Sequence, residues 1–390
     1  MTSSRRITDP LRRACLATVL LAAIVISGCS STTEPDPPID KPDPTTPDYW
    51  VIGYHPHWLD DLWAGYDLSS VNQIIYFDIG VGADGRFTTR NGWPGDWSGL
   101  IQRVRSSGGG VLPTLSLFDS AAFESLFADS ASATLLTEIE QLLAEVDVDG
   151  LHIDFEIFEP VQPAARQGFV EFMRDLRAVL DKSEKKLYLS AFALAIDWSD
   201  AYDEAGIALH VDYLVVQGYD LHWAGDAQAG PVAGLEGWGN LNWRNVLQRY
   251  LNMGVPREKI VMGVPYYGYE WPTVSEEIGS ATRGPGRFTT YAPVPLTFTA
   301  NPPPAALEQA ALHGLQRDPV SGSPYYVFQD STGWNQGWFE DQESLRAKYE
   351  FVKSEGLAGV AIWTLGYGDE SLNDVLKQAF PAAALAARFE

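Results

Sequence analysis

The chain has 390 residues, 45% hydrophobic and 12% aromatic, which is enough to bury a large core and excludes a disordered or low-complexity protein. Its formal net charge of −24 excludes nucleic acid as a partner and opposes binding to anionic lipid head groups, but leaves neutral glycans acceptable. The 13 Trp and 17 Tyr are an unusual excess, and aromatic faces are surfaces on which sugar rings pack.

Arg5, Arg6, Arg12 and Arg13 lead into an apolar stretch from Ala14 to Ile26, followed by Ser27-Gly28-Cys29. The stretch falls short of the ~20 residues that span a bilayer, so residues 1–28 are expected to be an export signal. Ile26-Ser27-Gly28-Cys29 resembles a bacterial lipobox. That resemblance implies lipidation of Cys29 as the first mature residue, with the protein held at the membrane of the bacterial cell envelope by its acyl chains alone. Residues 1–28 carry four Arg and one Asp, so their removal takes the net charge to −27. The only other cysteine, Cys15, lies inside the apolar stretch, so no disulfide is expected in the mature chain. Residues 29–48 are rich in Ser, Thr, Asp and Pro, with prolines at 35, 37, 38, 42, 44 and 47, and read as a spacer.

The folded region is expected over 49–390. Apolar runs predict strands at Trp50–Tyr54, Gln73–Ile79, Gly110–Leu117, Gly150–Glu156, Leu187–Leu194, Tyr213–Tyr219, Ile260–Tyr266 and Gly359–Trp363. Helical periodicity falls between them, clearest at Leu135–Glu145, Ala164–Leu180, Trp243–Leu251 and Gln342–Lys353. Eight strands apolar on both faces and separated by helices predict an α/β fold, a closed (β/α)8 TIM barrel. The alternative, an open doubly wound sheet, lacks a Gly-rich nucleotide fingerprint after the first strand. Residues 272–338 exceed one connecting helix and predict a small α+β insertion between strands 7 and 8, with a helix at Ala305–Leu312.

The run Asp149-Gly150-Leu151-His152-Ile153-Asp154-Phe155-Glu156 carries the chemistry. In an extended strand Leu151, Ile153 and Phe155 share one face, and His152, Asp154 and Glu156 share the other. Two carboxyls this close resist joint ionisation, so one is pushed to keep its proton near neutral pH, as a general acid must. They also fall at the C-terminal end of the strand, the catalytic end of a (β/α)8 barrel.

The octet resembles the Asp-Gly-x-Asp-x-Asp-x-Glu signature of glycoside hydrolase family 18, the chitinase-like enzymes. Val51-Ile52-Gly53-Tyr54, Gln217-Gly218-Tyr219-Asp220, Met262-Gly263-Val264-Pro265-Tyr266-Tyr267-Gly268 and Gly359-Val360-Ala361-Ile362-Trp363 resemble the family's first, sixth, seventh and eighth strands. Trp338-Phe339-Glu340-Asp341, with Ser344 and Lys348, resembles the start of its last helix. The resemblance implies that Glu156 protonates the glycosidic oxygen while the substrate's N-acetyl carbonyl attacks the anomeric carbon. It also implies that Asp154 stabilises the acetamido group, that Tyr219 hydrogen-bonds its oxygen and that Trp363 floors the sugar. Asp220, Gln217, Tyr76, Tyr267 and His152 complete the expected substrate-binding set.

Two positions depart from the family pattern. His152 stands where the middle aspartate is usual: a neutral imidazole there can still hydrogen-bond Asp154, a protonated one would hold it ionised, and a plain packing role is equally open. Gln217 replaces the usual Met. The expected activity is hydrolysis of β-linked glycans containing N-acetylglucosamine, whether chitin oligosaccharides, peptidoglycan strands or N-glycan cores. The regions around strands 7 and 8 resemble bacterial members that act near cell walls, including spore-lytic ones. The alternative is a non-catalytic, lectin-like lipoprotein on the same barrel. No cofactor or metal is expected, because the six His show no ligand spacing, and the protein is expected to be a monomer.

Overall fold

The computed structural model describes residues 49–128, 131–296 and 301–381. The expected export signal, Cys29 and the expected spacer lie outside these described residues. Each apolar run expected to be a strand is one: β1 (Trp50–Pro56), β2 (Gln73–Val81), β3 (Gly110–Leu117), β4 (Gly150–Phe155), β5 (Tyr188–Ala193), β6 (Tyr213–Val216), β7 (Ile260–Pro265) and β8 (Gly359–Trp363). Neighbours pair in parallel. β1 pairs with both β8 (Trp50↔Gly359) and β2 (Ile52↔Gln73), so the eight strands close into a barrel.

Side-chain alternation sorts the strands' residues into two cores. Trp50, Ile52 and Tyr54 of β1 point inward with Ile75, Leu112, Tyr188, Tyr213 and Val261, filling the barrel. Val51, Ile74 and Leu115 belong to the larger layer beneath the helices. Gly150 and Gly359 open β4 and β8 at φ 153° and 155°, where a Cβ would lie 2.0 Å from the Tyr188 carbonyl oxygen and 1.9 Å from that of Trp50. No other residue fits either strand start without moving the neighbouring strand.

The helices Ser132–Glu145, Pro163–Leu180, Trp243–Met253 and Gln342–Ser354 occupy the stretches with helical periodicity. The last begins with a capping box: Asp341 accepts from the Glu343 and Ser344 backbone N–H groups, while Ser344 Oγ accepts from Asp341 N–H at 2.9 Å. One turn on, Lys348 Nζ meets Glu340 Oε2 at 2.5 Å with both side chains fully buried. Burial pushes the Glu340 carboxyl up, against the opposing pull of Lys348. Lys348→Met is expected to cost about 3–5 kcal/mol at neutral pH, because it strands a buried carboxylate. Urea unfolding midpoints measure this, and the penalty shrinks in acid as Glu340 takes up a proton.

Between β7 and β8 the chain forms a five-stranded antiparallel sheet in the order Arg287–Thr290, Tyr267–Thr273, Gly333–Trp338, Pro324–Asp330, Gln316–Arg317. The helix Ala306–His313 lies against it, with His313 stacked on Phe328 at 4.2 Å. This α+β insertion begins at Tyr267, five residues before the expected start. β7 ends at Pro265, and after Tyr266 the next strand starts at once.

Candidate active site

β4 brings the two carboxyls to the C-terminal mouth of the barrel. The strand ends at Phe155, so Glu156 follows it, held by its N–H donating to the Leu117 carbonyl of β3 at 2.8 Å. Asp154 is 3% exposed; its Oδ1 has no hydrogen-bond partner and its Oδ2 lies 3.8 Å from His152 Nε2. Burial first, then the charges of Glu156 and Asp78, push the Asp154 carboxyl well above the usual carboxylate range. Burial and the charge of Asp220 push Glu156 up to about 7. The pair titrates jointly, and at neutral pH it retains a proton.

His152 is fully enclosed and makes no surface a substrate can reach, which corrects its expected substrate contact. Its Nε2 meets Tyr54 Oη and its Nδ1 meets Ser190 Oγ, both at 2.9 Å. Burial pushes the imidazole down to about 3, so it is neutral and cannot hold Asp154 ionised as a cation would. The negative charge facing Asp154 from outside the octet comes from β2. Between Tyr76 and Ile79 the register with β3 slips by one residue, a bulge at Phe77 and Asp78. Asp78 accepts from Ser116 Oγ and from Asn91 Nδ2 at 3.0 Å, and His57 Nδ1 lies 3.2 Å away. Burial opposes the ionisation of Asp78, but these hydrogen bonds outweigh it and hold the carboxyl below its usual range.

β6 is shorter than expected and ends at Val216; the Gln217 N–H still donates to the Ala193 carbonyl of β5 at 2.8 Å, and Tyr219 and Asp220 follow beyond the strand. Gly218 fits closely against β7: a Cβ there would lie 2.2 Å from the Gly263 carbonyl oxygen, and its own carbonyl accepts from Trp243 Nε1 at 2.6 Å. Asp220 adopts φ 55°. Its Oδ1 accepts from the Tyr267 hydroxyl at 2.6 Å and the Tyr269 hydroxyl at 3.0 Å, both from the insertion's first strand. Tyr267, expected at the substrate, is thus buried behind Asp220 with its hydroxyl committed. Tyr219 is buried with its ring edge-on to Tyr267 at 5.9 Å, and burial with the charge of Glu156 pushes its hydroxyl up, so it stays protonated.

Trp363 ends β8 half-buried, its ring meeting Tyr54 at 5.2 Å, Phe77 at 5.1 Å and Trp58 at 6.2 Å, all edge-on. A groove of about 500 Å³ is lined by Glu156, Gln217, Asp220, Trp198, Trp223 and Phe158, among others. Trp198, Phe158 and Trp223 are 80%, 63% and 55% exposed.

Tyr76 is a correction. It is fully buried in the layer under the helices, stacked on Trp93 at 4.7 Å, with its hydroxyl donating to the Asn91 carbonyl at 2.8 Å. Its neighbour Ile75 points into the barrel, so strand alternation sends Tyr76 away from the site. The sequence reading did not single out Tyr54, Asp78, Ser116, Trp198 or Trp223 as site residues. Asp78 had a signal, as the one acidic residue in the apolar run Gln73–Val81.

If Glu156 must be protonated to act, activity falls as pH rises through about 7. Because the charge of Asp220 helps to raise Glu156, Asp220→Asn is expected to move that alkaline limb to lower pH. A pH profile of kcat/KM for the two proteins measures the displacement; an unmoved limb would reject the coupling.

The Bacillus subtilis (strain 168) protein YdhD, named a sporulation-specific glycosylase, is 29% identical over 61% of this chain and 52% of its own length. A cortical fragment-lytic enzyme of the same organism is 26% identical over 61% of this chain and 51% of that protein. The di-N-acetylchitobiase of Rattus norvegicus is 24% identical over 80% of this chain and 81% of that protein. The chain thus spans about half the length of several curated relatives it matches. Catalytic domain 2 of the Ostrinia furnacalis Group II chitinase shares the fold, with a TM-score of 0.72 over 85% of this chain and 96% of that one at 21% identity. The family model for Glycosyl hydrolases family 18 matches residues 108–368, more than half of the sequence, and the chain belongs to that family.

Proposed function

We propose that the protein is a retaining hydrolase of β-linked glycans that contain N-acetylglucosamine, with Glu156 as its general acid and base. The observation that carries this reading is a carboxyl raised to about 7 at the mouth of the barrel, where it lines an aromatic groove. Glu156 gives its proton to the glycosidic oxygen as the bond to the anomeric carbon breaks. The acetamido oxygen of the same sugar closes on that carbon, and its nitrogen becomes positive, which makes the reaction an exception to the two-carboxylate scheme. Asp154, buried beside Glu156, balances that charge, and the Tyr219 hydroxyl, which stays protonated, donates to the acetamido oxygen. Glu156 then takes a proton from water, which attacks from the face the leaving group occupied, so configuration is retained.

Export and anchoring through Cys29 at the bacterial cell envelope belong to the same proposal and rest on residues 5–29. Metabolic labelling with an alkyne fatty acid, lost on Cys29→Ala, tests that part.

The catalytic proposal is tested by incubating the purified protein with β-1,4-linked N-acetylglucosamine oligomers and their de-N-acetylated counterparts, following the first product anomer by NMR. Cleavage of the acetylated oligomers alone, with β-anomer released first, supports the proposal. Equal cleavage of de-N-acetylated oligomers, or inversion, overturns the role of the acetamido group. Saturable binding without turnover favours the lectin-like reading.

A further inference from the structure

The groove beside Glu156 has a one-sided electrostatic character. Its ionisable lining groups are Glu156 and Asp220, both carboxyls, and the rest of the lining is apolar, aromatic or neutral. The loops that carry its aromatic side chains hold more acid. Asp226 accepts from the Trp223 N–H at 3.0 Å, and Asp197 accepts from the Ser199 and Tyr202 N–H groups at 3.0 and 3.1 Å. Two guanidinium groups reach these loops, and neither lines the groove: Arg166 donates to the Tyr202 carbonyl and lies 3.8 Å from Asp200, and Arg249 donates to the Asp197 carbonyl at 3.5 Å.

Glu156 also fixes which part of a glycan meets the groove. Trp363, with Tyr54, Phe77 and Trp58, lies outside the groove's lining, and Glu156 belongs to it. With Trp363 flooring the reacting sugar, as the family resemblance implies, a proton delivered by Glu156 goes to the leaving oxygen, and the departing glycan is assigned to the groove that Glu156 lines, past Trp223 and Trp198. This assignment rests on the function proposed above.

We propose that the groove selects an uncharged leaving glycan, so that the enzyme acts on neutral N-acetylated oligosaccharides in preference to strands whose sugar beside Glu156 bears a lactyl carboxylate. A neutral pyranose lays its apolar face on Trp223 and Trp198 without loss. A lactyl carboxylate entering the same groove is desolvated beside two acids and meets no lining cation. Selection of this kind works by penalising the wrong substrate as much as by holding the right one.

The test compares three glycans on the full-length purified protein: N-acetylglucosamine oligomers, peptide-free strands of alternating N-acetylglucosamine and N-acetylmuramic acid, and the same strands with each carboxyl reduced to an alcohol. Reduction removes charge and keeps shape. The reduced strands are expected to exceed the native ones in kcat/KM by about tenfold or more, and Trp198→Lys, at an exposed position, is expected to narrow that ratio. Binding of both strands to Glu156→Gln protein is measured in parallel. Native strands cleaved or bound as well as reduced ones overturn the proposal. If no glycan is cleaved, the hydrolase reading fails, while the binding ratio still decides whether the groove excludes anions.

Discussion

Glu156→Gln is expected to reduce turnover of N-acetylglucosamine oligomers by about a thousandfold or more, the effect of removing a positioned general acid from a poor leaving group. The amide keeps the volume and the backbone bond to Leu117, so substrate binding and unfolding midpoint should stay close to those of the parent. A loss in kcat without a matching rise in KM identifies a contribution made in the transition state. A fall in both binding and stability would instead place Glu156 in the scaffold. The sign of the pH effect adds a second check. The parent is expected to lose activity as pH rises through about 7, whereas the residual activity of the glutamine protein should show no such limb, because the group that titrates is gone.

The architecture was readable because its signals are local. Each barrel strand is an apolar run, and two open on glycines whose missing Cβ makes room for the next strand. The octet at 149–156 states its own polarity by alternation, so Asp154 and Glu156 needed no tertiary information. The contacts around them did. Tyr54 and His152 are 98 positions apart and meet only because β1 and β4 face each other across the closed barrel. Asp78 reaches the site through a bulge in β2, and a one-residue slip is invisible to a period-two pattern. Tyr76 shows the converse error: an aromatic residue on a barrel strand looks like a substrate contact until parity sends it outward onto Trp93. For His152 the sequence left a neutral, a protonated and a packing role open, and complete burial between two hydroxyls makes the neutral ring the stable form.

Asp154→Asn is expected to lower kcat about a hundredfold, the scale seen when one preorganised electrostatic partner of a developing charge is lost. Asp154 carries an oxygen without a hydrogen-bond partner, and burial, Glu156 and Asp78 all disfavour its charge in the resting protein. That cost is lowered only when a positive charge appears beside it, as it does when the acetamido nitrogen takes part in the reaction. Asparagine is neutral throughout and cannot make that response. The same residue should oppose stability. A carboxyl raised in the folded state binds its proton more tightly there than in the unfolded chain, so the protein loses stability as pH rises above the ordinary Asp range near 4. Asp154→Asn removes this liability. Its melting temperature is therefore expected to match the parent at pH 4 and to exceed it at pH 8, while turnover falls. A variant that loses activity and stability together at pH 8 would show that Asp154 holds the barrel mouth in shape; one that gains stability while losing kcat would show that its burial serves the reaction.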